Sequence, residues 1–323
     1  MDTEPPVSED ARGRGVLIVR NVRAGAAVIR MDPAPVFAER LPAARVHELA
    51  EGEDLEEIVT REMAAQTPPD VLAVYGGDGS VSRMAGLARR YDRPLLVLPG
   101  GTFNHFAGAL SLDTVDTAID AYDAGATVRV GAADATADDD EPLTVLNLVS
   151  VGAYPELIQE RERHRGLGKW LGGVAATWAS LRRAQPLTIV RDGRRARVWS
   201  VFVSVGRNDP ERVATMQREE LDAALLDVRI HHARGSRVRA LASLAFGKRT
   251  AAALRAVRLF PRDADVERLL VPELELTVRP AAGHPSVFVH DGELEERDPG
   301  GFRLHCAARP DALTVYAPRP SAE

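Results

Sequence analysis

Two rhythms of hydrophobic and polar positions divide this chain, and the first gives way to the second near residue 127. In the first part, short apolar runs alternate with segments whose apolar residues recur at helical spacing. The apolar runs are VLIVR at 16–20, VLAVY at 71–75 and PLLVL at 94–98, and the helical segments are 54–66, 80–91 and 113–124, with a short helix expected after residue 98. This alternation predicts a parallel sheet covered by helices on both faces.

After residue 127 the pattern is that of antiparallel strands joined by turns. The strand runs lie at 187–206, 225–232, 274–280, 286–297 and 302–307, together with a hairpin that starts at about 127. Turn chemistry separates them, as at Asp192-Gly193, and the acidic run 138–141 is expected to be the solvated tip of that first hairpin. Two helical segments, about 157–183 and 236–257, interrupt a half that is otherwise mainly β.

Two glycine-rich turns follow the second and third apolar runs. Residues 75–80 read YGGDGS and residues 99–107 read PGGTFNHFA. The carboxyl ends of parallel strands share one edge of the sheet, where open α/β sheets bind ligands. Glycine allows the backbone to approach an anion and to present N–H groups to it. The pair therefore predicts a phosphate cradle, with Asp78 as an acid suited to metal or proton chemistry.

The two glycine motifs also carry a family resemblance. GGDGS followed by PGGTFNHFA resembles the GGDGT and P-x-GT-x-N-x-FA motifs of the diacylglycerol kinase family of soluble bacterial lipid kinases. This family includes sphingosine kinase-like enzymes and is a structural cousin of the NAD kinases. Weaker matches follow in chain order: Asn21–Gly25 resembles N-P-x-S-G, Asn147–Gly152 resembles N-x-x-x-x-G, Leu221–Val228 resembles L-D-D-G-x-L-D-V, and Asp291-Gly292-Glu293 matches D-G-E.

The resemblance covers most of the chain and gives the expected fold. It implies α/β plus mainly β, with a Rossmann-like α/β nucleotide-binding domain followed by a β-sandwich-like domain, as in NAD kinases and diacylglycerol kinases. We expect the α/β domain at 15–127 and the β-rich, lipid-binding domain at 128–323. The polar, acidic residues 1–14 lack the features of a signal peptide and are expected to form a disordered tail.

Candidate site residues follow from the motifs and from the resemblance. Nucleotide is expected on Asn21, Gly76, Gly77, Gly79, Ser80, Gly101, Thr102 and Asn104, with ATP and Mg²⁺ as cofactors. Asp78 and Asp291 are the candidate metal ligands, and Asp78, Asp291 and Glu293 are the candidate catalytic residues. If the chain is extended through Gly292, Asp291 and Glu293 share one strand face, so that one serves the metal and the other accepts the proton of the acceptor hydroxyl.

Simpler readings of the same residues stay open. The glycines alone fit tight strand-to-helix turns, Asp78 fits a helix cap, and D-G-E is a common turn sequence. The chain also departs from the family. His105 stands where many relatives carry Asp, D-D-G has become Asp222-Ala223-Ala224, and Gly131 replaces an Asp, with Asp134 close by. Because these positions contribute to a metal–water network in some relatives, the changes imply altered metal use, another lipid or reduced activity.

Charge and composition add expectations about location and partners. No apolar run is long enough to span a bilayer, and the single cysteine, Cys306, fits a reducing cytoplasm and a buried position. The net charge is −6, but residues 160–260 hold 21 basic and 9 acidic residues. We expect a cytoplasmic protein that binds an anionic membrane surface peripherally, through a basic surface on Arg234, Arg237, Arg239, Lys248, Arg249, Arg255 and Arg258. No nucleic-acid partner is expected, and a homodimer is left open.

The function expected from these observations is an ATP-dependent lipid kinase that phosphorylates a lipid alcohol, with diacylglycerol as the first choice. One alternative is an NAD kinase-like small-molecule kinase, which shares the GGDG motif. Another is a catalytically reduced protein that binds nucleotide or lipid without turnover.

Overall fold

The computed structural model describes residues 11–21, 32–152, 185–208, 218, 220–222, 224–233 and 265–318. The chain divides into two compact units. One comprises Met1–Val130 with Asp311–Glu323, and the other comprises Gly131–Pro310. The sequence predicted one boundary after residue 127 and a C-terminus in the second domain, whereas the structure returns the end of the chain to the first unit.

The first unit alternates strands with helices. Its strands are β1 (Val16–Arg20), β2 (Arg45–Glu48), β3 (Val71–Gly76) and β4 (Leu95–Pro99), and its helices are α1 (Ala34–Arg40), α2 (Leu55–Met63), α3 (Asp78–Arg90), α4 (His105–Ala109) and α5 (Val115–Asp123). The strands are parallel in the order β2-β1-β3-β4, and β15 (Phe302–Tyr316) joins β4 in parallel where Val315 pairs with Leu95. The predicted parallel sheet is confirmed.

The helical faces of the first unit follow the predicted spacing. Helix α3 buries Val81, Met84, Leu87 and Ala88. Helix α2 buries Leu55, Ile58 and Val59, while Met63 is half-buried. The sequence pattern did not predict α1 or β2, because β2 reads RVHE and alternates half-buried and exposed residues without an apolar run.

The strand order indicates which edge of the parallel sheet is suited to bind a ligand. The chain runs from β1 outward to β2 and then returns to the other side of β1 for β3. Such a reversal opens a crevice at the carboxyl ends of the two central strands. Both glycine motifs begin at this edge, within the last residues of β3 and β4.

The second unit is an antiparallel β structure. Its strands are β5 (Thr127–Ala137), β6 (Leu143–Val145), β7 (Leu148–Gly152), β8 (Leu187–Arg191), β9 (Arg194–Val205), β10 (Leu226–His232), β11 (Val266–Val271), β12 (Glu273–Arg279), β13 (Ser286–His290) and β14 (Glu293–Arg297), with the first part of β15. Inward residues of β7, β8, β9, β12 and β13 build one apolar core, which includes the buried Cys306 as expected.

Turn chemistry in the second unit agrees with the sequence. Asp192-Gly193 connects β8 to β9, and both residues have positive φ (50° and 72°), as a two-residue hairpin turn requires. The acidic run 138–141 lies between β5 and β6, as predicted. Strand β11 was not predicted.

Some predictions fall wholly or largely outside the described residues. These are the helical segments 157–183 and 236–257 and residues 1–10 of the expected tail. Residues 11–14, which were assigned to that tail, form a turn in which the carbonyl of Arg12 accepts a hydrogen bond from Ala43 N (2.9 Å). Among the residues described, none of the helices has the length and apolar character needed to cross a membrane.

Candidate active site

Three strand ends of the first unit meet at the edge that carries the glycine motifs. Asn21 follows β1, and its N–H donates to the carbonyl of Tyr75 (2.9 Å). Gly100 follows β4, and its N–H donates to the carbonyl of Gly76 (2.9 Å). The Asn21 side chain also donates through Nδ2 to Ser80 Oγ (3.0 Å). The structure therefore brings together candidate residues from all three segments, as the sequence predicted.

The two glycine turns contact each other backbone to backbone. A Cβ atom on Gly101 would lie 2.4 Å from Gly77 Cα and 2.8 Å from Asn104 Oδ1. A Cβ atom on Gly76 would lie 2.7 Å from Ser80 Cβ. Non-bonded carbon atoms pack at about 3.5–4.0 Å, so a side chain at Gly101 would force the turns apart. Glycine is therefore required at these positions because the two backbones approach each other closely. A tight strand-to-helix turn alone would not require this contact.

Helix α3 begins at this contact. Gly77 is its N-cap and Asp78 its first residue, and a glycine N-cap has no side chain with which to cap the helix. The first-turn N–H groups and the helix dipole both favour a bound anion. The Asp78 carboxylate also contacts a second element. Its Oδ1 accepts a hydrogen bond from Phe106 N (3.3 Å), which links the first glycine motif to the start of α4.

Asn104 shapes the second glycine turn. Its backbone is left-handed (φ 51°, ψ 47°), a conformation that Asn tolerates better than most residues. Its side chain accepts from Gly101 N (2.8 Å) and donates to Gly101 O (3.0 Å). The amide is therefore engaged within the turn, and its role as a nucleotide ligand stays a prediction. Next to it, the exposed Phe103 ring stacks on His105, with centroids 5.5 Å apart.

Asp291 in the second unit is a buried structural carboxylate. It has φ 46° and forms, with Gly292 at φ 93°, the two-residue turn between β13 and β14. Its Oδ2 accepts from Leu146 N (2.7 Å), and its Oδ1 accepts from Asn147 N (2.8 Å) and Leu148 N (2.9 Å). A carboxylate offers about four acceptor positions, and three of them are occupied by backbone here.

The expectation that Asp291 and Glu293 share one strand face is wrong. The chain turns at Asp291-Gly292 and does not run extended through it, because both residues have positive φ. Asp291 is 1% exposed, whereas Glu293 is exposed and begins β14 opposite His290. The two acids therefore have different surroundings, and only Glu293 is open to a substrate.

Arg218 is a buried residue that the sequence did not single out. Its guanidinium donates to the carbonyls of Leu146 (3.1 Å), Gly131 (2.9 Å) and Leu221 (2.8 Å). Burial lowers the pKa of Arg218 to about 10, an effect that the Asp291 charge partly opposes. The sequence near Arg218 did not indicate burial, because two of its three partners, Gly131 and Leu146, lie more than 70 residues earlier and all three are backbone carbonyls.

Asp227, the second acid of the Leu221–Val228 motif, forms a separate buried ionic cluster. Its Oδ2 accepts from Arg229 (3.0 Å) and from Arg268 (2.6 Å). Burial alone raises the pKa of Asp227, but the hydrogen bonds from Arg268 and Arg229 outweigh it and hold the pKa below its ordinary value. This motif acid is thus committed to the fold of the second unit.

The carboxylates fit a metal ion unequally. Within the part of the chain that is described, no three His, Cys, Asp or Glu residues group together as metal ligands. Asp78 stands beside the glycine cradle, and one carboxylate together with substrate phosphates is a common way to hold Mg²⁺. Asp291 fits a metal ion less well than Asp78, because backbone N–H groups take three of its about four acceptor positions.

A comparison of the sequence with known protein families agrees with this geometry. Residues 16–135 match the model of the diacylglycerol kinase catalytic domain. The match contains both glycine motifs, the strands that end at them and the start of α3. It confirms the family resemblance that the motifs indicated and supports a kinase activity.

Solved structures similar to this one support the fold. One is a candidate diacylglycerol kinase from Bacillus anthracis str. Sterne, 16% identical, with a TM-score of 0.60, covering 97% of this chain and 99% of that chain. Another is a diacylglycerol kinase from the same organism, 18% identical, with a TM-score of 0.59, covering 95% of this chain and 98% of that chain. The expected fold class, α/β followed by a β-rich domain, is confirmed.

Proposed function

We propose that this protein is an ATP-dependent lipid kinase that transfers the γ-phosphate to a lipid alcohol, with diacylglycerol as the first candidate. The observation that carries the proposal is the contact between Gly77 and Gly101 at the carboxyl ends of neighbouring parallel strands. It lies within the segment that matches the diacylglycerol kinase catalytic domain. Phosphoryl transfer depends mainly on positioning and charge neutralisation, which a rigid backbone cradle supplies.

The residues of the first unit divide the binding task. The N–H groups of the first turn of α3 face the phosphates, and Gly77 and Gly101 keep that approach free of side chains. Ser80, held by Asn21, and Thr102 supply hydroxyl groups. Asp78 would hold Mg²⁺ directly or through water, and the ion supplies charge neutralisation at the phosphates.

Glu293 is the proposed base for the acceptor hydroxyl. It is exposed at the start of β14, and its neighbour Asp291 fixes the turn from which it projects. In this division of roles Asp291 positions the hairpin. The proposal therefore keeps Glu293 in the chemistry and removes Asp291 from the metal site.

We also propose that the protein meets its lipid by peripheral association with an anionic bilayer. The basic surface expected at Arg234–Arg258 lies outside the described residues. A second group of arginines supports the proposal: Arg195, Arg197 and Arg279 are exposed, and we find no carboxylate partner for them in the described parts of the chain. Arg197 and Arg279 both pair with Thr188 from opposite sides, so they share one sheet face.

Vesicle sedimentation tests this surface. Each arginine near an anionic surface adds about 1 kcal/mol, and the attraction is screened within about 8 Å at physiological salt. Sedimentation with anionic vesicles should exceed that with neutral vesicles, and it should fall in Arg195→Gln/Arg197→Gln/Arg279→Gln. Arg303→Gln is the matched control, because Asp139 already pairs with that guanidinium. Equal sedimentation of all variants would remove this face from membrane binding.

Radiolabel transfer tests the activity. Purified protein is incubated with γ-labelled ATP and Mg²⁺, and in separate reactions with diacylglycerol vesicles, sphingosine vesicles and NAD. We expect labelled lipid in the first reaction and at least ~10²-fold less of it from an Asp78→Asn variant. Label on NAD would favour a small-molecule kinase. ATP binding without any labelled product would favour the catalytically reduced alternative.

A further inference from the structure

Arg218 occupies a cage of oxygen atoms in the second unit. Three backbone carbonyls, from Gly131, Leu146 and Leu221, converge on its two terminal nitrogens at 2.8–3.1 Å. They belong to three different segments, and two of these lie more than 70 residues before Arg218. The residue is only 8% exposed, so these contacts form away from water.

A carboxylate completes the surroundings of the cage. The peptide groups at Leu146 join the two charges: the carbonyl of Leu146 accepts from Arg218, while its N–H donates to Asp291. The negative charge of Asp291 favours the guanidinium and opposes its desolvation. Several carbonyl oxygens with a carboxylate nearby are the type of ligand set that holds a hard divalent cation in proteins. In this chain the Arg218 guanidinium occupies the position that such a cation would take.

The sequence departures fall at the same place. The resemblance to the lipid kinase family implies an acid at the position of Gly131, and in this chain Gly131 offers its backbone carbonyl to Arg218. Leu221 directly precedes Asp222-Ala223-Ala224, where the resemblance implies D-D-G and therefore one further acid, at position 223. Arg218 thus links two segments that differ from the family motifs at an acidic position, and three of the about four acceptor positions of the nearby Asp291 are taken by backbone N–H groups.

The geometry points to Arg218 as a resident cation that holds the Asp291–Glu293 hairpin in place without a divalent metal in this unit. Asp291 forms the turn of the hairpin, and its carboxylate is held by the N–H groups of residues 146–148. Arg218 holds the Leu146 carbonyl in that same segment. The predicted effect on turnover at Glu293 rests on the proposed lipid kinase activity. The inference that Arg218 is the resident cation is independent of that activity.

Thermal unfolding without nucleotide tests the identity of the cation. EDTA, Mg²⁺ and Ca²⁺ should each leave the Tm of the wild type unchanged. Arg218→Met should lower the Tm by about 6–20 °C. Breaking a buried charged network costs several kcal/mol, and each kcal/mol lowers the Tm by about 2–4 °C. Arg309→Met is the control: this half-exposed arginine of the same unit pairs with Asp134, and its loss should shift Tm by less than about 3 °C.

A smaller side chain gives a sharper readout. Arg218→Ala leaves the converging carbonyls facing a cavity the shape of the lost side chain. Guanidinium chloride far below denaturing concentration should raise the Tm of Arg218→Ala and leave that of the wild type and of Arg309→Met unchanged. If Arg218→Ala does not fold, Arg218→Lys serves instead, because it keeps the charge with fewer donors. The decrease in Tm of Arg218→Lys, relative to the wild type, should be less than half of the decrease found for Arg218→Met.

Amide exchange and kinetics report on positioning. In folded Arg218→Lys, the amides of 146–148 should exchange at least ~10-fold faster than in the wild type, because their acceptor Asp291 is less well fixed. With lipid acceptor, the same variant should lose about 10-fold or more in kcat with an unchanged KM for ATP. If the wild type has no lipid kinase activity, the proposed function fails while the Tm and exchange results still decide the role of Arg218.

Two results would overturn the inference. One is a wild-type Tm that falls with EDTA as far as that of Arg218→Met, which would mean that a metal ion is resident. The other is an Arg218→Met protein whose Tm and 146–148 exchange equal those of the wild type.

Discussion

Gly101→Ala is the most direct perturbation of the proposed phosphate cradle. The added methyl carbon would lie 2.4 Å from Gly77 Cα and 3.3 Å from Gly77 N, with Asn104 Oδ1 at 2.8 Å. Since carbon atoms pack at about 3.5–4.0 Å, the two turns must separate by ~1 Å or more. Both contacts on Gly77 are to backbone, so no side-chain rotation can relieve them.

The expected cost follows from this displacement. Overpacking of a well-packed site costs about 1–3 kcal/mol, and a rigid backbone contact places Gly101→Ala toward the upper end. The N–H groups around Gly77 move with the turn. Losing one hydrogen bond to a charged phosphate costs about 1.5–3 kcal/mol, which corresponds to roughly 10–100-fold weaker ATP binding.

A graded series of alanine variants controls for general damage. At Gly77 the methyl carbon would meet only Gly101 Cα at 3.4 Å, an ordinary contact, so Gly77→Ala should have a smaller effect. Gly108 lies in α4, and a methyl carbon added there would have nothing within 4 Å, so Gly108→Ala should leave ATP affinity unchanged. In a helix this change should add up to about 1 kcal/mol of stability.

Calorimetric titration with ATP and denaturant unfolding measure the two consequences separately. The loss of ATP affinity is expected to be smallest for Gly108→Ala, larger for Gly77→Ala and largest for Gly101→Ala. The reasoning is refuted if folded Gly101→Ala binds ATP as tightly as Gly108→Ala, because the contact between the turns would then have no part in nucleotide binding.

Further predictions concern the acids. Asp78→Asn should lower phosphotransfer at least ~10²-fold with an unchanged circular dichroism spectrum, since it removes charge but little volume. Glu293→Gln should lower turnover at least ~10²-fold without changing Tm, whereas Asp291→Ala should also cost roughly 3 kcal/mol of unfolding free energy, because three buried N–H groups lose their acceptor. Asp227, whose folded pKa lies below its ordinary value, contributes stability that is fully present above about pH 4 and lost as pH falls through the folded pKa. Acid titration should therefore show less loss for Asp227→Asn than for the wild type.

Local rules predicted the first unit well. The glycine turns were identified because only glycine permits backbone to approach backbone, and the helical faces of α2 and α3 because burial repeats with the helical period. The two glycine turns were expected together because parallel strands end at one edge, and the family resemblance added Asn21. Each of these inferences uses neighbours in sequence or the general geometry of a parallel sheet.

Long-range partners could not be predicted. The sequence around Asp78 fits a helix cap, but it gives no sign of the hydrogen bond that the Asp78 carboxylate accepts from Phe106 N, 28 residues away. Asp291 was read as an open catalytic acid, and it is buried because it accepts from N–H groups more than 140 residues earlier. Arg218 carried no signal at all, since its three carbonyl partners are backbone atoms. Backbone acceptors leave no trace in residue type.

The last strand has a consequence for how the protein is made. Val315 in β15 extends the parallel sheet beside Leu95, and Ala317 N donates to the carbonyl of Ala126 (3.1 Å). Synthesis runs from the N-terminus, so every residue of the second unit leaves the ribosome before the first unit receives its final strand. Until then the edge of β4 lacks its neighbour. A fragment that ends at residue 127 would expose that edge permanently, because the first unit is discontinuous in sequence and can be completed only after Val315 has been synthesised.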